Sequence, residues 1–192
     1  MKFYYTNSAA YNQVQPEARL SLGGFLSSSE IQNDILNNIF SNVSELSKQN
    51  LRREAILIAL KNTYNEVVQG VTVTFDVVDF TKLISEYSIA FIVSKKDNCD
   101  NIYFDKINDS QALPFINLEI ISNINKSFFI DRFEIGQVTG IWLIRKILKD
   151  KVKPLTCDEL ELNFNNNIEL PAEENFSIKL SWTPDESQSD SI

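Results

Sequence analysis

The apolar positions of this chain change their spacing as it proceeds. Over residues 1–29 neither a period of two nor one of 3.6 is sustained: Phe3, Tyr4, Tyr5 and Tyr11 are followed by Pro16, then by Leu22-Gly23-Gly24-Phe25-Leu26 and three serines. The stretch reads as an extended N-terminal arm. From Ser29 the spacing becomes helical, with Ile31, Ile35, Leu36, Ile39, Phe40 and Val43 on one stripe, Ser29 placed to cap and Glu30 in the first turn. One short amphipathic helix is predicted within residues 30–50, its stripe turned to the main domain.

Beyond Asn50 the pattern is that of strands. Residues 53–61 form an apolar run bounded by charges, the mark of a strand buried on both faces. Residues 70–79 alternate, with Val71, Val73, Phe75 and Val77 on one side and Thr72, Thr74 and Asp76 on the other. Further strands are predicted at 87–94, 102–107, 117–121, 128–135, 139–148 and 176–182, the last turning Phe176, Ile178, Leu180 and Trp182 inward. Short strands separated by turn clusters, with no helices between them, predict a mainly β, antiparallel sandwich over residues 51–183. Residues 184–192 are polar and acidic and read as a disordered tail.

Composition supports an ordinary core. Hydrophobic residues make up 43% of 192, including 13 Phe, 6 Tyr and 2 Trp, and a chain of this length buries about 70% of its unfolded surface without a staple. An arm holding five aromatics cannot bury them alone, and disordered tails are poor in such residues. It is expected to lie in a groove, either on its own domain or on a neighbouring subunit, with Phe3, Tyr4, Tyr5, Tyr11, Leu22 and Phe25 as contacts.

Charge and chemistry narrow the function. The net charge of −8 and a pI near 4.6 repel a phosphate backbone or an anionic lipid face, so direct nucleic-acid and membrane partners are not expected. There is no histidine, which removes the commonest general base and the commonest transition-metal ligand, along with the usual activator of serine and cysteine nucleophiles. Cys99 and Cys157 stand apart and read as free thiols made in a reducing compartment.

The oxygen-rich run Asp97-Asn98-Cys99-Asp100-Asn101, with Asp105 and Asp109 beyond, lacks the ligand spacing and central glycine of a calcium loop and reads as a solvated turn. Asp158-Glu159 and Glu173-Glu174 read as surface charge. No enzyme activity, cofactor or metal is expected. Arg145, Lys146, Lys149, Lys151 and Lys153 form a basic concentration in an acidic chain. Arg145 and Lys146 are candidates to dock an acidic surface, the acidic tail of a neighbouring copy among them.

Several stretches carry a resemblance: Ser21-Leu22-Gly23-Gly24-Phe25-Leu26-Ser27-Ser28 with Leu36-Asn37-Asn38-Ile39-Phe40, Ala59-Leu60-Lys61-Asn62, Leu113-Pro114-Phe115, Gly140 to Lys146, and Phe176 to Trp182. Together they resemble structural proteins of tailed bacteriophages, in particular the crAss-like phages of gut bacteria. The resemblance implies an immunoglobulin-like sandwich, made in the host bacterial cytoplasm and built into the virion. There it would be a ring-forming subunit of the head–tail connector, neck or tail, a homo-oligomer in contact with portal, tail or capsid proteins. It also implies that Gly136 and Gly140 mark the turn into the penultimate strand and that Trp142 packs across the sandwich. A second expectation is a capsid-surface or tail module that binds host glycan or receptor through exposed aromatics, for which Tyr64, Tyr87 and Tyr103 are candidates.

Overall fold

A computed structural model describes residues 1–32, 39–40, 53–77, 85–91, 102–109, 119–121, 126–147 and 176–184. Its strands are β1 (Lys2–Asn7), β2 (Gly24–Glu30), β3 (Arg53–Lys61), β4 (Val68–Val77), β5 (Ser85–Phe91), β6 (Tyr103–Phe104), β7 (Glu119–Ile121), β8 (Lys126–Phe133), β9 (Val138–Ile147) and β10 (Phe176–Pro184). They form a large seven-stranded sheet, ordered β6-β2-β1-β3-β9-β5-β7, and a small three-stranded one, ordered β10-β4-β8. Every pairing is antiparallel, and the protein is mainly β. Among the described residues no helix is long and apolar enough to cross a membrane.

The strands of the large sheet's centre explain their sequences. β3 pairs with β9 along its whole length, Arg53 opposite Lys146 through to Lys61 opposite Val138. Every residue from Ala55 to Leu60 is buried. Ile56, Ile58 and Leu60 join Val68, Val71, Val73, Ile89, Phe133, Ile141 and Leu143 in a core that draws on both sheets. Ala55, Leu57 and Ala59 face the other way, into a second cluster with Leu26, Ala90, Ile102, Phe104, Val138, Trp142 and Ile144. A strand covered on both faces needs no polar alternation, hence the unbroken apolar run. The resemblance implies that Trp142 packs across the sandwich. It packs in the second cluster instead, because it sits one residue out of phase with Ile141 and Leu143.

In β4 the expected alternation holds at Val71 and Val73, and Val68 reaches the same core after a three-residue step. Gly70, at φ +59°, supplies that step, since a left-handed residue lets a strand bulge. The chain crosses between sheets twice at one corner, from β3 to β4 and from β8 to β9. Asn62, buried, ties the two crossings together. Its amide donates to the carbonyls of Glu66 (2.9 Å), Phe133 (3.1 Å) and Glu134 (3.1 Å), and its Oδ1 accepts from Tyr64 N–H (3.0 Å). Gly136 lies in the second crossing, whereas Gly140 is inside β9 opposite Ala59.

The N-terminal residues are not an arm. β1 is inserted between β2 and β3, pairing Phe3 with Leu60 and Tyr5 with Ile58, so residues 1–29 contribute two strands to the large sheet. The periodicity that marks a strand is missing because β1 and β2 bury side chains on both faces, and a bulge between Tyr4 and Thr6 shifts the β1–β2 register. The predicted helix fares differently at its start: Ser29 and Glu30, placed at the cap and first turn, end β2. Residues 33–38 and 41–50 lie outside the described residues, as do 185–192 of the predicted tail. Ile31, Ile39 and Phe40 pack against the shared core.

Candidate interaction surface

The residues singled out for contact are distributed over both faces of the large sheet. Phe3 packs on the shared core; Tyr4 and Tyr11 pack on the second cluster. Tyr5 is half-buried on β1, and burial pushes its hydroxyl pKa above the usual tyrosine range. Burial does the same at Tyr4, with the Glu30 carboxylate adding to it. Leu22 is half-buried, its carbonyl accepting from Ile107 N–H at 3.0 Å.

Arg145 does not stand at the surface. It is 4% exposed, bonded to Glu54 directly opposite on β3, and its guanidinium lies 4.9 Å from the centre of the Phe40 ring. The strand register forces this, since Arg145 follows Ile141 and Leu143 on the face turned to the shared core. A partner-docking role for Arg145 is thereby corrected to an internal one. Lys146 is half-buried and stands opposite Arg53 on one side and Glu86 on the other. Lys149, Lys151, Lys153, Cys99 and Cys157 lie outside the described residues.

A segment linking β1 to β2 closes the gap where β1 leaves β3. Ser21 is fully buried there: its Oγ donates to Leu57 O (2.5 Å) and accepts from Thr6 N–H (2.7 Å), and its carbonyl accepts from Leu57 N–H (2.7 Å). Ser21 thus meets the backbone of Leu57 as a neighbouring strand would. Because its single hydroxyl hydrogen goes to a carbonyl, the 3.1 Å contact between the two hydroxyls has Thr6 as donor. Thr6 Oγ1 in turn accepts from Gly23 N–H at 3.0 Å. Gly24 is held at φ +91° with Asn7 O only 2.6 Å from where a Cβ would stand, so this turn admits glycine alone. The outer edge of β2 is covered in part by residues 12–15, through Asn12 N–H to Leu26 O (2.9 Å) and Ser28 N–H to Gln13 O (3.0 Å).

What the fold does bring together is an aromatic shelf. The small sheet shares its core with β3, β5 and β9, Phe3 of β1 packs against it, and β2 and β6 extend the large sheet further to that side. Phe25 lies opposite Tyr103 in the β2–β6 pair, and their rings meet edge to face at 5.0 Å. By strand alternation Tyr5 and Phe3 share that face, opposite Ile58 and Leu60 of the core. The partner of Phe25 on β1 is Asn7, buried at 8% exposure, with Tyr5 two residues further along β1, and Tyr103 is 37% exposed. Nothing in the sequence signals that Phe25 and Tyr103 touch, because their contact is set by a pairing across 78 positions between strands of which β6 has only two residues.

Among the described residues the other exposed large apolar side chains are Val14 (69%) and Leu20 (44%) between β1 and β2, Phe129 (67%) on β8, Ile135 (56%) in the turn that follows it, and Tyr64 (39%) at the Asn62 corner. The side chain of Tyr87 lies outside what the structure describes. Among the described residues no group of three or more His, Cys, Asp or Glu is placed to hold a metal ion. In comparisons with known proteins, no family model, curated protein or solved structure matches this chain.

Proposed function

We propose that this chain is a structural subunit of a tailed-phage virion, a ring-forming component of the head–tail connector, neck or tail that packs beside copies of itself and against other virion proteins. The fold we infer for it is an immunoglobulin-like sandwich, in keeping with two antiparallel sheets that contribute to one core. The observation that carries the reading is the pair of large apolar side chains, Phe129 and Ile135, left exposed on a strand at the margin of the small sheet and in its following turn. Margin strands are where sheets meet sheets, and such side chains placed there suit side-by-side packing of identical subunits. With residues 1–29 built into the sheet, subunits in this reading meet through rigid strands and not through a captured arm.

Light scattering on the purified chain tests it. The wild type is expected to run as an oligomer and the Phe129→Asp/Ile135→Asp double variant as a folded monomer. A wild type that stays monomeric at about 100 μM, or a variant of unchanged mass, overturns the subunit reading. Absence of the chain from purified particles overturns its virion setting.

A second reading is a module that binds host glycan or receptor. The Phe25–Tyr103 pair favours it, since it presents aromatic surface on a rigid strand pair away from β8.

A further inference from the structure

We propose that β8 is the strand through which two copies of this chain pair, edge to edge and antiparallel about a two-fold axis at Phe129; this rests on the subunit reading above and names its contact.

Phe128-Phe129-Ile130 is an apolar run in the middle of an eight-residue strand. The comparable run in β3 has a paired strand on each side and packing over both faces. Among the described residues β8 pairs with β4 alone. Phe128 and Ile130 pack on the shared core, while Phe129, on the opposite face by strand alternation, is 67% exposed. A margin strand with apolar side chains on both faces is a template for a further strand. β10, the other margin of the small sheet, has Lys179 near its centre and ends on Pro184, residue types that blunt an edge.

The strand that fits β8 is a second β8. Laid antiparallel and centred at Phe129 with its faces kept, it sets Phe129 on Phe129, Phe128 on Ile130 and Ser127 on Asp131. The apolar run is thereby matched residue for residue. Charge favours the same arrangement. Arg132 is held by Glu134 at 2.8 Å, so Lys126 at the start of the strand and Asp131 towards its end carry its opposite charges. Antiparallel pairing brings each Lys126 beside the Asp131 end of the second copy, whereas parallel pairing sets like charges together. The two small sheets become one continuous sheet, and a ring in this reading repeats such pairs.

Disulfide cross-linking in register tests the pairing, in the full chain carrying Cys99→Ser and Cys157→Ser. Ser127 and Asp131 are both exposed. The Ser127→Cys/Asp131→Cys double variant is expected to give a covalent dimer on oxidation with diamide, since directly opposed Cα atoms lie about 4.5–5.5 Å apart, within disulfide reach. Neither single variant is expected to cross-link, because each cysteine's own counterpart is four residues out of register, roughly 13 Å along the strand. Adding Phe129→Asp to the double variant is expected to abolish the dimer while the circular dichroism stays that of the folded chain. A double variant that does not cross-link, in a wild type that is oligomeric, overturns the β8 contact and leaves the subunit reading standing. Single variants that cross-link as readily as the double, or a Phe129→Asp chain that still does, also overturn it. A monomeric wild type overturns both. Absence from purified particles with the cross-link intact removes the virion setting and sustains the pairing.

Discussion

Ser21 shows how much one buried hydroxyl can decide. It supplies one hydrogen and accepts two, and with its own carbonyl it meets both polar groups of the Leu57 backbone where β1 has turned away. Without it, the carbonyl of Leu57 and the N–H of Thr6 would be buried and unmatched, each costing about 1–3 kcal/mol. Ser21→Ala is therefore expected to lower stability by about 2–4 kcal/mol, seen as a lower urea midpoint at an unchanged slope. A loss under about 0.5 kcal/mol would show that water replaces the hydroxyl there. Nothing at this position is legible in sequence: a serine beside Leu22-Gly23-Gly24 has the composition of a surface turn, and only the departure of β1 creates the two backbone groups it meets. Asn62 is the same case at the opposite scale of reach, one amide joining segments 71 and 72 positions apart.

At the level of the element, β3 was legible down to its ends, Arg53 and Lys61, because a charge-bounded apolar run fits a strand covered on both faces. Partial packing on both faces concealed β1 and β2: Phe3 meets the shared core while Tyr4 and Leu26 meet the second cluster, so the side chains follow no period. The β3–β9 pair also explains Arg145. Its cross-strand partner Glu54 has a side chain 14% exposed against 5% for Arg145, so the pair is largely withdrawn from water. Removing one member of such a pair strands the other charge. Glu54→Gln is expected to cost about 3 kcal/mol, while Glu54→Leu with Arg145→Met is expected to stay within about 1 kcal/mol of wild type. Chemical denaturation of the single and double variants measures both, and a single variant as stable as the double would remove the buried-pair account.

For the whole molecule, the consequence is that the N-terminal residues belong to the domain. β1 is flanked by β2 and β3, Met1 and Phe3 pack on the shared core, and Leu26 belongs to the second cluster. Deleting residues 2–28 is thus expected to abolish cooperative unfolding and the near-ultraviolet circular dichroism of the packed aromatics. A truncated chain that still unfolds cooperatively would mean that the remaining strands suffice alone. The sequence by itself determined the mainly β, antiparallel character and the approximate position of most strands, because local alternation and turn residues depend only on near neighbours. Tertiary structure alone decided which strand lies beside which, and with that the inclusion of residues 1–29, the inward turn of Arg145 and the meeting of Phe25 with Tyr103. These depend on pairings between positions far apart in the chain, whose register a single sequence does not encode in any local period.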